Sequence, residues 1–444
     1  MPVISLLTLG CAKNLVDSEV VLGTLHARGY EFAADPERAD LVIINTCGFI
    51  APARAEAEQT ISEFIDWKKS KPGRKLMVVG CYVERFSDYL KVKFREVDYW
   101  AGVKDFDRLW LMIENQHLPG REKTFLLNYD TPRAISTGRN WAYVKISEGC
   151  SHRCHFCSIP LIKGPYQSRT MTSIIQEVKA LVSFGIREIN LISHDTTYFG
   201  RDRKIDAGLV KLLGKLITIK DLRWIRVLYG YPEEITDELL EIMNEAKICP
   251  YFDLPFQHAS KKVLKLMGRT IDGNRALKLV DKIRKKVPGA VIRTSLIVGF
   301  PGEGAKEFSE LKNFVRQARF EHLGVFTYST EIGTVASRLK ETVLPSEKER
   351  RRREIMRLQK EISRKFYQSF VGSELEVLLE EVEERKGKTI GRARARFQAP
   401  EVDGLVWVDK LPESKKQWPD FLNVRIERAL TYDLGGRIIN DKTG

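Results

Sequence analysis

Three cysteines standing close together, Cys150, Cys154 and Cys157, are the most openly chemical feature of this chain. Their run is Gly149-Cys150-Ser151-His152-Arg153-Cys154-His155-Phe156-Cys157, a C-x3-C-x2-C spacing. Thiolates suit zinc or the iron of a cluster, and structural sites of either kind are closed by four protein ligands. Three alone leave one metal position for something else. A zinc knuckle would need a fourth ligand from His152, His155 or elsewhere, whereas a cluster would not. The chain has seven cysteines, an odd number, and nothing in its first ten residues resembles a signal peptide. Both facts weigh against disulfides and lead us to expect a reducing cytoplasm.

The spacing resembles the signature of the radical S-adenosylmethionine (SAM) enzymes, C-x3-C-x-aromatic-C, with Phe156 in the aromatic place. The resemblance implies a 4Fe-4S cluster on Cys150, Cys154 and Cys157 whose open iron chelates the amino and carboxylate groups of SAM. One electron then splits SAM into methionine and a 5'-deoxyadenosyl radical, which takes hydrogen from an unactivated carbon.

Repeated strand-turn-helix units must position these groups. Ile4 to Leu9 is apolar and ends in Gly10-Cys11 before a helical pattern from Asn14 to about Arg28. Leu41 to Asn45 leads into Thr46-Cys47 and an Ala/Glu-rich helix from about Pro52 to Lys69; Lys75 to Val79 leads into Gly80-Cys81. This order predicts a doubly wound parallel sheet covered by helices. Each cysteine follows the carboxyl end of a strand, the edge where open parallel sheets bind ligands. Three thiolates distant in sequence can therefore converge.

Gly10-Cys11-Ala12-Lys13-Asn14-Leu15-Val16-Asp17-Ser18-Glu19, Asn45-Thr46-Cys47-Gly48-Phe49-Ile50 and Val79-Gly80-Cys81 resemble the amino-terminal domain of the methylthiotransferases. That resemblance implies a second, auxiliary 4Fe-4S cluster on Cys11, Cys47 and Cys81, implicated in supplying or carrying sulfur.

Four segments are expected: 1–120, the auxiliary-cluster domain; 121–138, a linker with Pro132 and Gly138; 139–369, the radical SAM core; and 370–438, a small antiparallel β-barrel. From Trp141 strand and helix signals alternate through six units, which predicts a partial (β/α)6 barrel with its site at the strand carboxyl ends. Two such ends carry candidate SAM contacts. Ser193-His194-Asp195-Thr196-Thr197 supplies Ser193 and Asp195, and the stretch from Thr294 to Glu303 supplies Ser295, Gly299 and Glu303; Phe156 joins them. Gln257-His258 follows another strand end, where a lone histidine is more often structural than catalytic. Cys249 has no partner spacing and reads as a buried small hydrophobe.

At 444 residues, 43% hydrophobic and 30% charged, the composition is that of a soluble multidomain protein, and no apolar run nears the roughly 20 residues of a membrane span. The formal charge of +14 sits on residues 141–370, with 41 basic against 26 acidic side chains. Such a surplus fits an acidic partner such as a ribonucleoprotein. Arg350-Arg351-Arg352-Arg353, within a helical pattern, reads as a solvated face or a contact with such a surface. After Phe370 short alternating strands resemble the OB-like TRAM domain that ends methylthiotransferases. There Arg392, Arg394 and Arg396 alternate and are expected to share one face.

The resemblance covers essentially the whole chain and implies replacement of a carbon-bound hydrogen by a methylthio group, with SAM serving as radical source and methyl donor. One branch of the family modifies an adenosine of tRNA; another modifies an aspartate β-carbon of the twelfth small-subunit ribosomal protein. The residues after Cys11, where the tRNA branch typically has Gln-Met-Asn, favour the ribosomal branch, as do Asp195-Thr196-Thr197, Ala399-Pro400-Glu401-Val402-Asp403-Gly404 and the near-neutral terminal domain. Implied partners are that ribosomal protein or its assembled subunit, a reductant such as flavodoxin or ferredoxin, and an unidentified sulfur donor, with no membrane. A non-catalytic iron-sulfur or zinc protein that binds RNA is the reading from another class.

Overall fold

A computed structural model describes residues 1–385, 387–411 and 418–439. Apolar, β-branched runs build the first layer: β1 (Val3–Thr8), β2 (Glu31–Phe32), β3 (Leu41–Thr46), β4 (Lys75–Gly80) and β5 (Tyr99–Ala101). All pair in parallel, in the order β2-β1-β3-β4-β5. Alternate residues face opposite helices, as a period of two requires. Ile43 and Met77 pack with Val16, Val20 and Val21 of α1 (Ala12–His26). Val42, Ile44 and Val78 pack with Ala57 and Ile61 of α2 (Ala51–Lys69) and Val83 and Leu90 of α3 (Cys81–Lys93). The strand order reverses between β1 and β3, the switch point at which such sheets open a ligand crevice. A short helix, α4 (Trp110–Ile113), follows.

The central unit has six parallel strands in two runs. β6 (Trp141–Lys145) is followed by a small ribbon of β7 (Ser147–Glu148) and β8 (Gln167–Ser168), then by β9 (Glu188–Ile192) and β10 (Trp224–Val227), sheeted as β10-β9-β6. β11 (Tyr251–Asp253), β12 (Val291–Val298) and β13 (His322–Thr327) form the second run. A parallel bridge between Ile225 and Ile248, and a 2.8 Å bond from Gly230 N–H to the Asp253 carbonyl, join the two. Helices α5 (Ile159–Lys163), α6 (Met171–Ser183), α7 (Gly208–Leu216), α8 (Asp237–Ile242), α9 (Lys261–Leu266), α10 (Gly273–Lys286) and α11 (Ala305–Ala318) lie between and after these strands. α12 (Pro345–Gln368) leads out of the unit. The result is the partial barrel expected from the alternation.

β14 (Glu374–Arg385), β15 (Lys388–Ala395), β16 (Val406–Asp409), β17 (Phe421–Ala429) and β18 (Leu434–Ile438) close into a barrel, β14-β15-β16-β18-β17. Residues 386 and 412–417 of the expected terminal segment lie outside the described residues. Sequence alternation locates four of these strands; Gly435 and Gly436 mask the fifth. The three arginines do not form one exposed face. Arg394 is buried and paired with Glu188 of β9 at 2.5 Å, and Arg396 donates to the carbonyls of Ala246 and Ile248, so both tie this barrel to the central one. Only Arg392 stays at the surface, paired with Glu381. The Arg350–Arg353 run is likewise neutralised locally: Arg351 is buried against Glu303, and its neighbours pair with Glu347, Glu349 and Glu354. Among the described residues no helix is long and apolar enough to cross a membrane.

Candidate functional site: two thiol triads across one interface

The strand ends of the first sheet bring Cys11, Cys47 and Cys81 together. Cys11 precedes α1, Cys47 follows β3 and Cys81 opens α3. Asn14 laces them: its amide donates to the carbonyls of Leu9 (3.0 Å) and Thr46 (3.2 Å), and its oxygen lies 3.5 Å from the Cys81 sulfur. Gly10 has φ +97°, and a Cβ there would fall 2.8 Å from that of Cys47, so only glycine lets the two loops meet. The Phe49 N–H points at the Cys47 sulfur. Burial, aided by Cys11, pushes the Cys47 thiol up to about 11. Burial raises Cys81 as well, against the pull of Lys163. Metal-free, these two groups are protonated thiols at neutral pH, and binding a metal releases their protons.

The second triad sits in one loop after β7. Gly149 has φ +71°, and a Cβ would meet the Pro165 carbonyl at 2.2 Å, which fixes glycine before Cys150. Backbone N–H groups of His152 and Ile159 point at the sulfurs of Cys150 and Cys157. Burial pushes these thiols up, to about 11 and about 12. A cation answers them: buried Arg269 sets Nη1 3.9 Å from the Cys154 sulfur, stacks 4.0 Å from the Tyr231 ring centre and reaches Glu233 at 3.3 Å. The other face of the site is built by His152, whose ring lies parallel to Tyr231 at 3.7 Å while Nε2 meets Asp195 at 2.5 Å.

His155 binds the Leu266 carbonyl through Nδ1. Each histidine of the loop is oriented by a hydrogen bond through one ring nitrogen, His155 by Leu266 and His152 by Asp195. Among the described residues, no three His, Cys, Asp or Glu side chains are gathered as for a single metal ion. Three thiols with backbone N–H donors and a buried guanidinium fit the wider spacing of a cluster. The donor set of the first triad fits one equally well.

The candidate SAM contacts fall on the barrel's strand ends with different surroundings. Asp195 is buried and accepts from Thr197 N–H, Tyr198 N–H and His152. Ser193 is buried beside Thr196, and Ser295 lies on β12. Phe156 packs against the apolar group of Val263, Met267 and Phe300. Gly299 takes φ +74°. Glu303 is bound into its own turn: one carboxylate oxygen receives Gly299 N–H (2.5 Å) and Phe300 N–H (3.3 Å), the other Arg351 (2.9 Å). His258 is also structural, wholly buried and accepting the Ser260 N–H at 2.9 Å. Cys249 is buried beside Arg226, Glu188 and Arg396.

The loops that carry the two triads meet at the domain interface. Ser158, next to Cys157, donates to the carbonyl of Phe49, two residues beyond Cys47, at 3.2 Å. Beneath them lies a dry ionic knot: Lys163 reaches Asp17 at 2.9 Å, Lys145 pairs with Asp17 and Glu148, and Lys163 lies 3.7 Å from Glu148. Burial, with Lys13, Lys163 and Lys145 around it, holds nearby His194 well below its usual value, so that ring is neutral. Sequence reasoning missed Asn14, Lys163, Tyr231 and Arg269 as site residues, because none stands in a spacing pattern with the cysteines it serves.

Residues 4–102 match the uncharacterized protein family UPF0004, 144–315 the radical SAM superfamily and 371–439 the TRAM domain. A ribosomal protein uS12 methylthiotransferase RimO of Aquifex aeolicus is 44% identical over 435 residues, covering 98% of this chain and 96% of its own length. This chain belongs to the RimO family. A second RimO, from Acetivibrio thermocellus, is 41% identical and covers 99% of both chains. Among solved structures, the radical S-adenosylmethionine methyltransferase TsrM from Kitasatospora setae, with tryptophan and a SAM analogue bound, aligns at TM-score 0.53 and 14% identity over 87% of this chain and 79% of that one. That likeness is one of fold. The thiol triads of this RimO chain lie one in the UPF0004 match and one in the radical SAM match.

Proposed function

We propose that this protein is a radical SAM methylthiotransferase that places a methylthio group on the β-carbon of an aspartate of ribosomal protein uS12, with Cys150, Cys154 and Cys157 holding one 4Fe-4S cluster and Cys11, Cys47 and Cys81 a second. The observation that carries the reading is that two loops bearing three-thiol sites meet at one domain interface, through the Ser158–Phe49 contact. When bound, the barrel cluster supplies the electron that splits SAM, and the substrate carbon is activated by the fragment.

The chain's own residues set the stage. Arg269 offsets the negative charge that three thiolates bring into a low-dielectric pocket. His152 and Tyr231 wall the pocket on the β9 and β10 side, and Asp195 fixes the His152 ring. Asp195, Ser193, Ser295 and Gly299 are proposed to line the SAM side of that wall. The ionic knot of Asp17, Lys145, Glu148 and Lys163 holds the sulfur-bearing sheet against the barrel, so the two sites keep one separation. uS12, free or in the small subunit, is the proposed partner, with a low-potential reductant and a sulfur donor.

The test is mass spectrometry of uS12 and of tRNA nucleosides after incubation with the anaerobically reconstituted, reduced protein, SAM and a sulfide source. A methylthio adduct on a uS12 aspartate with unchanged tRNA is expected; an adduct on tRNA adenosine, or 5'-deoxyadenosine absent altogether, overturns the proposal.

A further inference from the structure

Four lysines are buried among the described residues: Lys13, Lys145, Lys163 and Lys348. Three of them meet carboxylates, Lys145 and Lys163 in the ionic knot and Lys348 at Glu341, 2.9 Å away. Among the described residues Lys13 has no carboxylate oxygen within ion-pair reach. Its hydrogen bond to the Ser193 carbonyl is long, 3.5 Å, and its ammonium lies 3.1 Å from the centre of the Tyr229 ring. The neighbouring Asp253 carboxylate is already held by the Tyr229 N–H at 3.0 Å and faces Arg293 at 3.8 Å. A cation–π contact offsets only part of the cost of desolvating a buried ion. The ammonium thus lies dry without the salt bridge that each of its three counterparts has.

Its position is as telling as its lack of a carboxylate partner. Lys13 belongs to the first turn of α1, two residues beyond Cys11, yet its tip reaches Ser193 after β9, Tyr229 after β10 and the Asp253 end of β11. One side chain of the amino-terminal sheet therefore crosses to the mouth of the barrel. Tyr229 is held there in a left-handed backbone, φ +60°, by bonds from its N–H to Asp253 and from Thr196 N–H to its carbonyl. A tyrosine in that conformation is strained and persists only where the surroundings enforce it. The adjoining Cys11 is exposed, so this end of the interface is open to solvent.

We infer that Lys13, seated over Tyr229, is the binding site for the side-chain carboxylate of the substrate aspartate. The inference rests on the uS12 reading above and deepens it. A carboxylate salt-bridged to Lys13 holds the adjacent β-carbon between the triad that Cys11 belongs to and the barrel's strand ends, and it discriminates aspartate from neutral side chains. An uncharged amide in the same place would leave the ammonium uncompensated.

The experiment measures binding of purified uS12 to the cluster-reconstituted protein, and repeats it with uS12 whose target aspartate is asparagine. Native protein is expected to prefer the aspartate form by about 10- to 100-fold, the range of a charge-assisted bond. Lys13→Met should erase that preference, weakening the aspartate form alone, and Lys13→Arg should restore part of it. Native protein that binds both forms equally overturns the inference whatever the variants do, as does a Lys13→Met protein that weakens both forms by the same factor. Native protein that neither binds nor modifies any uS12 overturns the functional reading itself, a failure visible before any variant is made.

Discussion

Cys150, Cys154 and Cys157 lie within eight residues of one loop, whereas Cys11, Cys47 and Cys81 come from three strand ends spread over seventy. The loop shapes its triad locally, with Gly149 turning the chain and His152 and Ile159 offering N–H groups. The distributed triad depends on a whole sheet being in register and on Asn14 lacing three loops. The charge environment differs too. Arg269 stands directly against the loop triad, while the cation nearest in effect to Cys81 is Lys163, already bound to Asp17. A local site tolerates distant change; a distributed one inherits every weakness of its fold.

The largest effect separates the two triads by function. Cys154→Ala is expected to drop 5'-deoxyadenosine formation to background, whereas Cys47→Ala keeps measurable cleavage and loses methylthio transfer. Product analysis by liquid chromatography and mass spectrometry checks both, and unaltered transfer by Cys47→Ala would erase the distinction. Next comes Arg269→Gln, which should slow SAM cleavage by about 10-fold, the usual cost of losing a supporting group beside a metal. A redox titration followed by electron paramagnetic resonance should show the barrel cluster alone shifting to a more negative potential. If both clusters shift, Arg269 is not specific to one triad.

The smallest effect on chemistry is expected at the far end of the barrel. Burial works against ionisation of Glu188, but Arg394 and Arg226 outweigh it and hold the carboxyl below its usual range. Glu188→Gln should leave both triads competent while costing about 3–5 kcal/mol of unfolding free energy at neutral pH. Because the folded value is the lower one, this stabilisation is complete above the unfolded value of about 4.3 and disappears as pH falls through the folded value. Urea titrations of native and variant protein should therefore diverge at pH 7 and converge as the pH is lowered below about 4. A constant gap would show that charge is not its source.

Legibility from sequence followed the same division. The loop triad is visible as spacing, and the distributed one as a repeated slot after apolar runs. Asn14, Tyr231 and Arg269 were invisible, because their partners lie across turns or in other elements. The arginines of β15 misled for a related reason: alternation says which residues share a strand face but not what covers it, and Arg394 is covered by Glu188 from two hundred residues away.

Helix α1 has a consequence for how the chain is made. Asp17 meets Lys145 and Lys163, which lie 128 and 146 residues later, and Glu19 meets Arg133 at 2.5 Å. At roughly 5–20 residues per second of synthesis, the amino-terminal sheet emerges on the order of ten seconds before the cations that cover its acids. During that interval the nascent helix presents two hydrated, unpaired carboxylates and a flank that the barrel later covers. Synthesis of the first 120 residues alone is accordingly expected to yield an aggregation-prone fragment, not an independent sulfur-carrying module.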